Sequence, residues 1–187
     1  EGKAFPARGK PLDLGALSSP ELAMAREQVL GTLVSLCAGG APPDTEEQAG
    51  VVRERASEVL GLGATQEELV ARNARLRTAP AARADRIYTG VLYDNLDFAT
   101  LSAPAKRRAT SRIGIMSALF GMVRPNDVIP PYRLSGDVTL PGLGPIAGFW
   151  REHLDATLAE ALGDGLLVDL RSTSYAAFWR PAADLAS

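Results

Sequence analysis

Arg124, Asp127, Tyr132 and Arg133 crowd onto one stretch, Arg124-Pro-Asn-Asp-Val-Ile-Pro-Pro-Tyr-Arg133, whose prolines stiffen the backbone. A stiff loop loses little entropy when it is fixed, so guanidiniums mounted on it are preorganised. Two such groups can grip a phosphate or carboxylate in bidentate fashion. The same letters fit a plainer role, in which Arg124 pairs with Asp127 to brace the loop. A second anion-binding corner is Asp169-Leu-Arg-Ser-Thr-Ser-Tyr175. There a short apolar run leads into hydroxyl residues that open a helix, placing free backbone N–H groups, Arg171 and Ser172 at the carboxyl end of a strand. Plain N-capping by Ser172 or Thr173 explains that segment equally well. Neither a phosphate loop's glycine pattern nor a G-x-S-x-G elbow is present.

Gly61-Leu62-Gly63 joins two helical patterns and is the third candidate. Glycines at such a hairpin let backbone amides approach a DNA phosphate, and Arg72, Arg75 and Arg77 just downstream would supply salt-dependent attraction. A Schellman cap followed by a solvated helix face accounts for the same residues. His153 stands beside the apolar positions Trp150 and Leu154 and reads as a flank histidine rather than a general base. Cys37 closes an apolar helix and reads as a small buried hydrophobe.

The elements that must position these groups follow from periodicity and punctuation. Ser19-Pro20-Glu21 opens a helix that runs to Gly39-Gly40, with Ser19 as the expected cap. After a turn at 41–44, a helix spans 45–60, and Thr65 starts a third. Residues 77–85 connect, 86–93 form a strand or bent segment, and 103–111 a short basic helix. The apolar run 113–123 is expected as a single buried strand. A proline-rich loop leads to a helix over 146–162, then a short buried strand at 166–170 and a helix at 172–179. No repeat or heptad pattern interrupts this order.

Composition narrows the function classes. The 187 residues are 46% hydrophobic and 22% charged, which fits a globular chain with a substantial core and excludes disorder throughout. No apolar run is long enough to span a bilayer, so no membrane partner is expected. Glu1 to Lys10 resembles neither a signal nor a transit peptide, and a single cysteine suits a reducing cytoplasm. The missing initiator Met leads us to expect a piece of a longer protein. One His and one Cys exclude a zinc cluster, leaving only carboxylate-rich metal sites; no metal or cofactor is expected. Net charge is −2 but uneven: residues 41–70 are acidic, and two basic stretches follow. Arg72, Arg75, Arg77, Arg83 and Arg86 face only Asp85, and Lys106, Arg107, Arg108, Arg112, Arg124 and Arg133 face only Asp127.

Tyr88-Thr-Gly-Val-Leu-Tyr93, Ser117-Ala-Leu-Phe-Gly-Met-Val-Arg-Pro-Asn-Asp127, Pro131-Tyr-Arg-Leu134 and Phe149-Trp150 resemble, in order and spacing, the YaaA family of bacterial peroxide-stress proteins. Glu1-Gly-Lys3 is similar to that family's amino-terminal segment, and Leu170-Arg-Ser-Thr-Ser-Tyr175 to another of its motifs. The resemblance implies a mixed α/β (α+β) fold in a single domain over 1–187, with a helix-hairpin-helix-like insertion at about 45–77. It also implies binding of duplex DNA and protection from peroxide by limiting free iron and oxidative DNA damage. Lys3, Arg124, Asp127, Tyr132, Arg133 and Tyr175 fall on family motifs, and residues 61–63 fall in the region of the DNA-binding hairpin. Two features depart from the family: its carboxyl-terminal Lys-x-x-Ala-Arg-Gly part is absent, and the segment at Ser172 lacks the usual acidic residue before the tyrosine. The alternative is an enzyme of unnamed substrate. In it Lys3 would be nucleophile or phosphate ligand, Asp127 orienter or base and Tyr175 a third catalytic candidate, around a pocket for an anionic small molecule.

Overall fold

A computed structural model describes residues 2–40, 45–163 and 165–181; residue 1 and the turn expected at 41–44 lie outside them. The architecture is mixed, with helices packed around four two-stranded antiparallel sheets. Helix α1, Ala23–Ala38, buries Val29, Leu30, Leu33 and Cys37. Its expected cap is not made. Ser19 has a left-handed backbone (φ 60°) and no side-chain capping bond, and a short 3-10 turn, Pro20–Leu22, precedes the helix. The cause is tertiary: the Ser19 carbonyl accepts from the buried Arg26 guanidinium (3.1 Å).

Helix α2, Glu46–Leu60, starts where Thr45 accepts from the Gln48 N–H and stops at left-handed Gly61. Gly61 N–H donates to Glu58 O (3.2 Å) and Leu62 N–H to Ser57 O (2.8 Å), the two bonds of a Schellman motif. The third helix starts later than Thr65. A 3-10 turn, Ala64–Gln66, comes first, then α3, Glu68–Asn73. Ala56, Leu60, Val70 and Leu76 join the same buried cluster as α1.

The strands are short. Strand β1, Gly2–Lys3, pairs with β3, Tyr88–Thr89, and β2, Ala82–Arg83, with β6, Val128–Ile129. Helix α4, Ala84–Ile87, fills the gap before β3, and α5, Val91–Leu96, follows Gly90 (φ 112°). Residues 86–93 therefore hold a helix end, a strand and a helix start, where the sequence suggests one bent segment. Helix α6, Ala103–Arg112, is the short basic helix.

The single strand expected over 113–123 is two. Strands β4, Ile115–Ser117, and β5, Gly121–Val123, form a hairpin. Its turn residues, Ala118, Leu119 and Phe120, are fully buried, so nothing polar announces the reversal. Gly121 closes the turn at φ 72°, where a Cβ would lie 2.7 Å from the Trp150 ring; a side chain there meets both a backbone and a packing obstacle.

Strands β7, Thr139–Leu140, and β8, Gly144–Pro145, lead into α7, Ile146–Leu162, whose Ile146, Trp150, Leu154 and Leu158 close the core. The buried strand expected at 166–170 is absent: the segment pairs with no strand and is exposed. Helix α8, Thr173–Ala176, is a single turn, shorter than the expected 172–179. No helix among the described residues is long and apolar enough to cross a membrane.

Candidate functional site

The β1–β3 pairing sets Lys3 opposite Tyr88, and the proline-stiffened loop brings Tyr132 alongside. The Lys3 ammonium stands 4.3 Å from the Tyr132 ring centroid and 5.5 Å from that of Tyr88, within cation–π range of both. The phenols are joined, Tyr88 OH to Tyr132 OH at 3.0 Å, and Tyr132 OH reaches Ser117 Oγ at 2.8 Å. Ser117 Oγ accepts from Phe120 N–H (3.0 Å). Phe120 packs edge-on against Tyr132, and Tyr93 stacks on Tyr88. An ammonium beside a chain of three hydroxyls can donate to an oxyanion or pass a proton. Lys3 and Tyr132 are thus brought together, while Tyr88 and Ser117 were not singled out as site residues. Their signal was membership of the same sequence motifs.

Asp127 is buried and its carboxylate is already engaged. Oδ1 accepts from Ser18 N–H (2.9 Å) and Ser18 Oγ (2.8 Å), and Oδ2 from Arg124 N–H (2.8 Å). It braces the loop, through the Arg124 backbone and not its guanidinium, which donates instead to Ile113 O (3.2 Å). Arg133 is clamped by buried Asn73, which donates to Arg133 O (2.7 Å) and accepts from Arg133 N–H (2.9 Å). Arg133 Nε is buried with no acceptor.

Arg26, not marked by the sequence, is fully buried on α1. It donates to Phe120 O (3.0 Å), Met122 O (2.8 Å) and Ser19 O, tying α1 to the β4–β5 hairpin. Burial pushes its pKa down, and Asp127 and Glu21 oppose that shift. Its position within the apolar series of α1, in step with Leu22, Val29 and Leu33, was the available signal.

At the 169–175 corner Arg171 forks onto Asp169, donates to Tyr175 O (3.3 Å) and lies over the Trp179 ring. Hydrogen bonding from Arg171 holds the Asp169 carboxyl below its ordinary range. The stabilisation of this corner is therefore present above the ordinary carboxylate pKa and is lost as pH falls through the lowered one. Ser172 makes no side-chain cap, and Tyr175 packs on Phe178.

At residues 61–63 the amides of Gly61 and Leu62 are spent on the Schellman bonds, and Gly63 N–H faces Gln66 Oε1 at 3.4 Å. Two of the downstream arginines carry carboxylate partners: Arg72 pairs with Glu68 and lies over Phe5, and Arg77 forks onto Glu27. Arg75 Nε turns back to Ala71 O. Basic side chains with no acid on their own element are concentrated on α6. Lys106, Arg107, Arg108 and Arg112 share a helix with no acidic residue and no buried one. Among the described residues Arg107, Arg108 and Arg112 form no salt bridge. Arg124, bonded to the residue that caps this helix, lies at its carboxyl end.

Two of the grooves on the described surface border α1. One of about 680 Å³ runs along α1 and α2 past Gly31, Ser35, Val51 and Arg55, and a smaller one touches Asp13, Glu27 and Arg77. Neither is lined by Lys3, Arg124, Asp127, Tyr132, Arg133 or Tyr175. The described residues hold no group of three or more His, Cys, Asp or Glu side chains placed to bind a metal ion. His153 Nδ1 lies 2.8 Å from Phe149 O and its ring stacks on Phe149, the flank role expected.

Cys37 is buried, and desolvation pushes its thiol up to about 11, opposed by a hydrogen bond with Asn73. Thiolate is the reactive form, so at pH 8 Cys37 is expected to react with a thiol reagent such as DTNB only after denaturant is added. Fast labelling of the folded chain would contradict this. By linkage the raised pKa leaves stability intact below pH 9 and erodes it as pH climbs towards 11.

Residues 45–186 match the family model described as peroxide stress protein YaaA. The chain belongs to this family. A UPF0246 protein of Streptomyces coelicolor is 50% identical over 187 residues, which covers all of this chain and 67% of that protein. A UPF0246 protein of Corynebacterium efficiens is 39% identical over 177 residues, 94% of this chain and 64% of its own length. One from Ruegeria is 33% identical over 147 residues, 73% and 59% respectively. This YaaA-family chain thus spans about two thirds of the length of such relatives.

Proposed function

We propose that this YaaA-family chain binds duplex DNA without sequence preference, in the cytoplasm, as part of a peroxide-stress response. The observation that carries the reading is α6, a solvent-facing helix with four cations and no acid. Cations so placed attract the phosphate backbone, and phosphate contacts alone give sequence-tolerant affinity. The amides of the 61–63 hairpin are occupied, so the phosphate contacts are assigned to α6 and Arg124, with Arg75 in support. Protein cations that neutralise phosphates release condensed counterions, iron(II) among them. A chain coating DNA in this way would lower iron-driven damage at the bases.

Fluorescence anisotropy of a labelled duplex at low salt tests the reading. A Kd of about 1–100 μM, equal for duplexes of unrelated sequence, is expected. Arg107→Ala/Arg108→Ala/Arg112→Ala should weaken binding at least about tenfold, and Arg75→Ala by less than about threefold. No binding by the wild-type chain at low salt would end the DNA reading.

One observation favours a second reading. Lys3, Tyr88, Tyr132 and Ser117 form a single donor cluster, which suits a small oxyanion and, through it, an enzyme of unnamed substrate. Binding of inorganic phosphate that is lost in Lys3→Met, with duplex affinity unchanged, would separate this site from α6.

A further inference from the structure

Residues 166–170, Leu-Leu-Val-Asp-Leu, have the composition of a buried strand without its burial. Alternate side chains of extended backbone point to opposite faces. Leu166, Val168 and Leu170, spaced two apart, are 93%, 67% and 67% exposed, and Leu167 is 36% exposed. The carboxyl end of the segment is anchored: Asp169 and Arg171 fork together, and Arg171 continues to Tyr175 O and the Trp179 ring. The backbone is equally open, because among the described residues no hydrogen bond engages the N–H or C=O groups of 166–170. Three apolar side chains in register above an unpaired edge make a template for strand addition.

We infer that residues 166–170 are a docking edge for one further β-strand, which in the longer relatives comes from the third of their length outside the match. The Streptomyces protein matches this chain along all of it yet is only 67% covered, and the Corynebacterium protein only 64%. The relatives therefore carry additional polypeptide able to supply the occupant in cis. That strand presents apolar residues at alternate positions to Leu166, Val168 and Leu170, while its main chain supplies the missing ladder. The Asp169–Arg171 fork anchors the carboxyl end of that edge.

Hydrogen exchange read by mass spectrometry, on this chain and on the Streptomyces coelicolor relative, tests the inference. The 166–170 amides of this chain should exchange nearly as fast as an unstructured peptide, and those of the matching segment in the relative about a hundredfold more slowly or better. Val168→Lys should leave the unfolding midpoint of this chain unchanged, whereas the equivalent change in the relative should remove the protection. Equally fast exchange in both proteins would overturn the proposal. So would protection in this chain that rises with its own concentration, which would assign the edge to a second copy.

Discussion

Replacing Arg26 by alanine is expected to cost about 3–5 kcal/mol of folding stability, a large share of the ~5–15 kcal/mol that holds a typical domain together. Two losses combine. A cavity opens in the core, and the carbonyls of Phe120, Met122 and Ser19 lose their donor. Urea unfolding of the variant measures the sum. Arg26→Met refills most of the space but donates nothing, so about 1–3 kcal/mol of the loss should persist in it. A methionine variant as stable as wild type would show that the guanidinium does not hold the β4–β5 turn, and that its burial serves only to fill volume.

Asp127→Asn is expected to be nearly as costly, about 2–4 kcal/mol, although it keeps the shape of the side chain. Three donors converge on the carboxylate, and an amide turns its own N–H₂ towards at least one of them. The change also removes a charge that favours the protonated state of buried Arg26. A double-mutant cycle of Asp127→Asn with Arg26→Met should therefore show coupling of about 0.5–3 kcal/mol, as neighbouring groups do. Duplex affinity, measured where the variant is still folded, should stay within about twofold of wild type. Normal stability with lost ligand binding would return Asp127 to the role of orienter or base.

How far the sequence specifies the fold depends on whether the relevant physics is local. Helix α7 has the bounds its spacing implies because an uninterrupted apolar stripe runs between Pro145 and Gly163. Thr45 and Gly61 mark the ends of α2 for the same reason, a cap and a left-handed stop. The β4–β5 hairpin was hidden because its turn is as apolar as its strands, and burial rather than polarity accommodates it. Residues 166–170 were read as buried because their composition has strand propensity, which reports what a segment could pair with and not whether it is paired.

The site divides along the same line. Sequence motifs contain Lys3 and Tyr132, but only the fold shows that the ammonium sits over that ring and over Tyr88. Spacing puts Arg26 among the apolar positions of α1 but could not name its acceptors, two of which lie 94 and 96 residues away. Asp127 looked like a partner for the Arg124 side chain, and its actual partners are the Arg124 amide and Ser18, 109 residues distant. The Gly-x-Gly letters fitted both a phosphate-reading hairpin and a helix cap, and the amide geometry of Gly61 and Leu62 is that of the cap.

The most direct test of phosphate binding through α6 is the salt dependence of duplex affinity, taken by anisotropy from about 20 to 200 mM salt for the wild-type chain and for Arg107→Ala/Arg108→Ala/Arg112→Ala. Each neutralised phosphate contributes about −0.9 to the slope of log K against log salt, so the four cations of α6 together with Arg124 predict about −4.5, and the variant should flatten it by about 2.7. A wild-type slope near zero, or a steep slope that the variant leaves unchanged, would contradict the account and move the DNA contacts, if any, away from this helix.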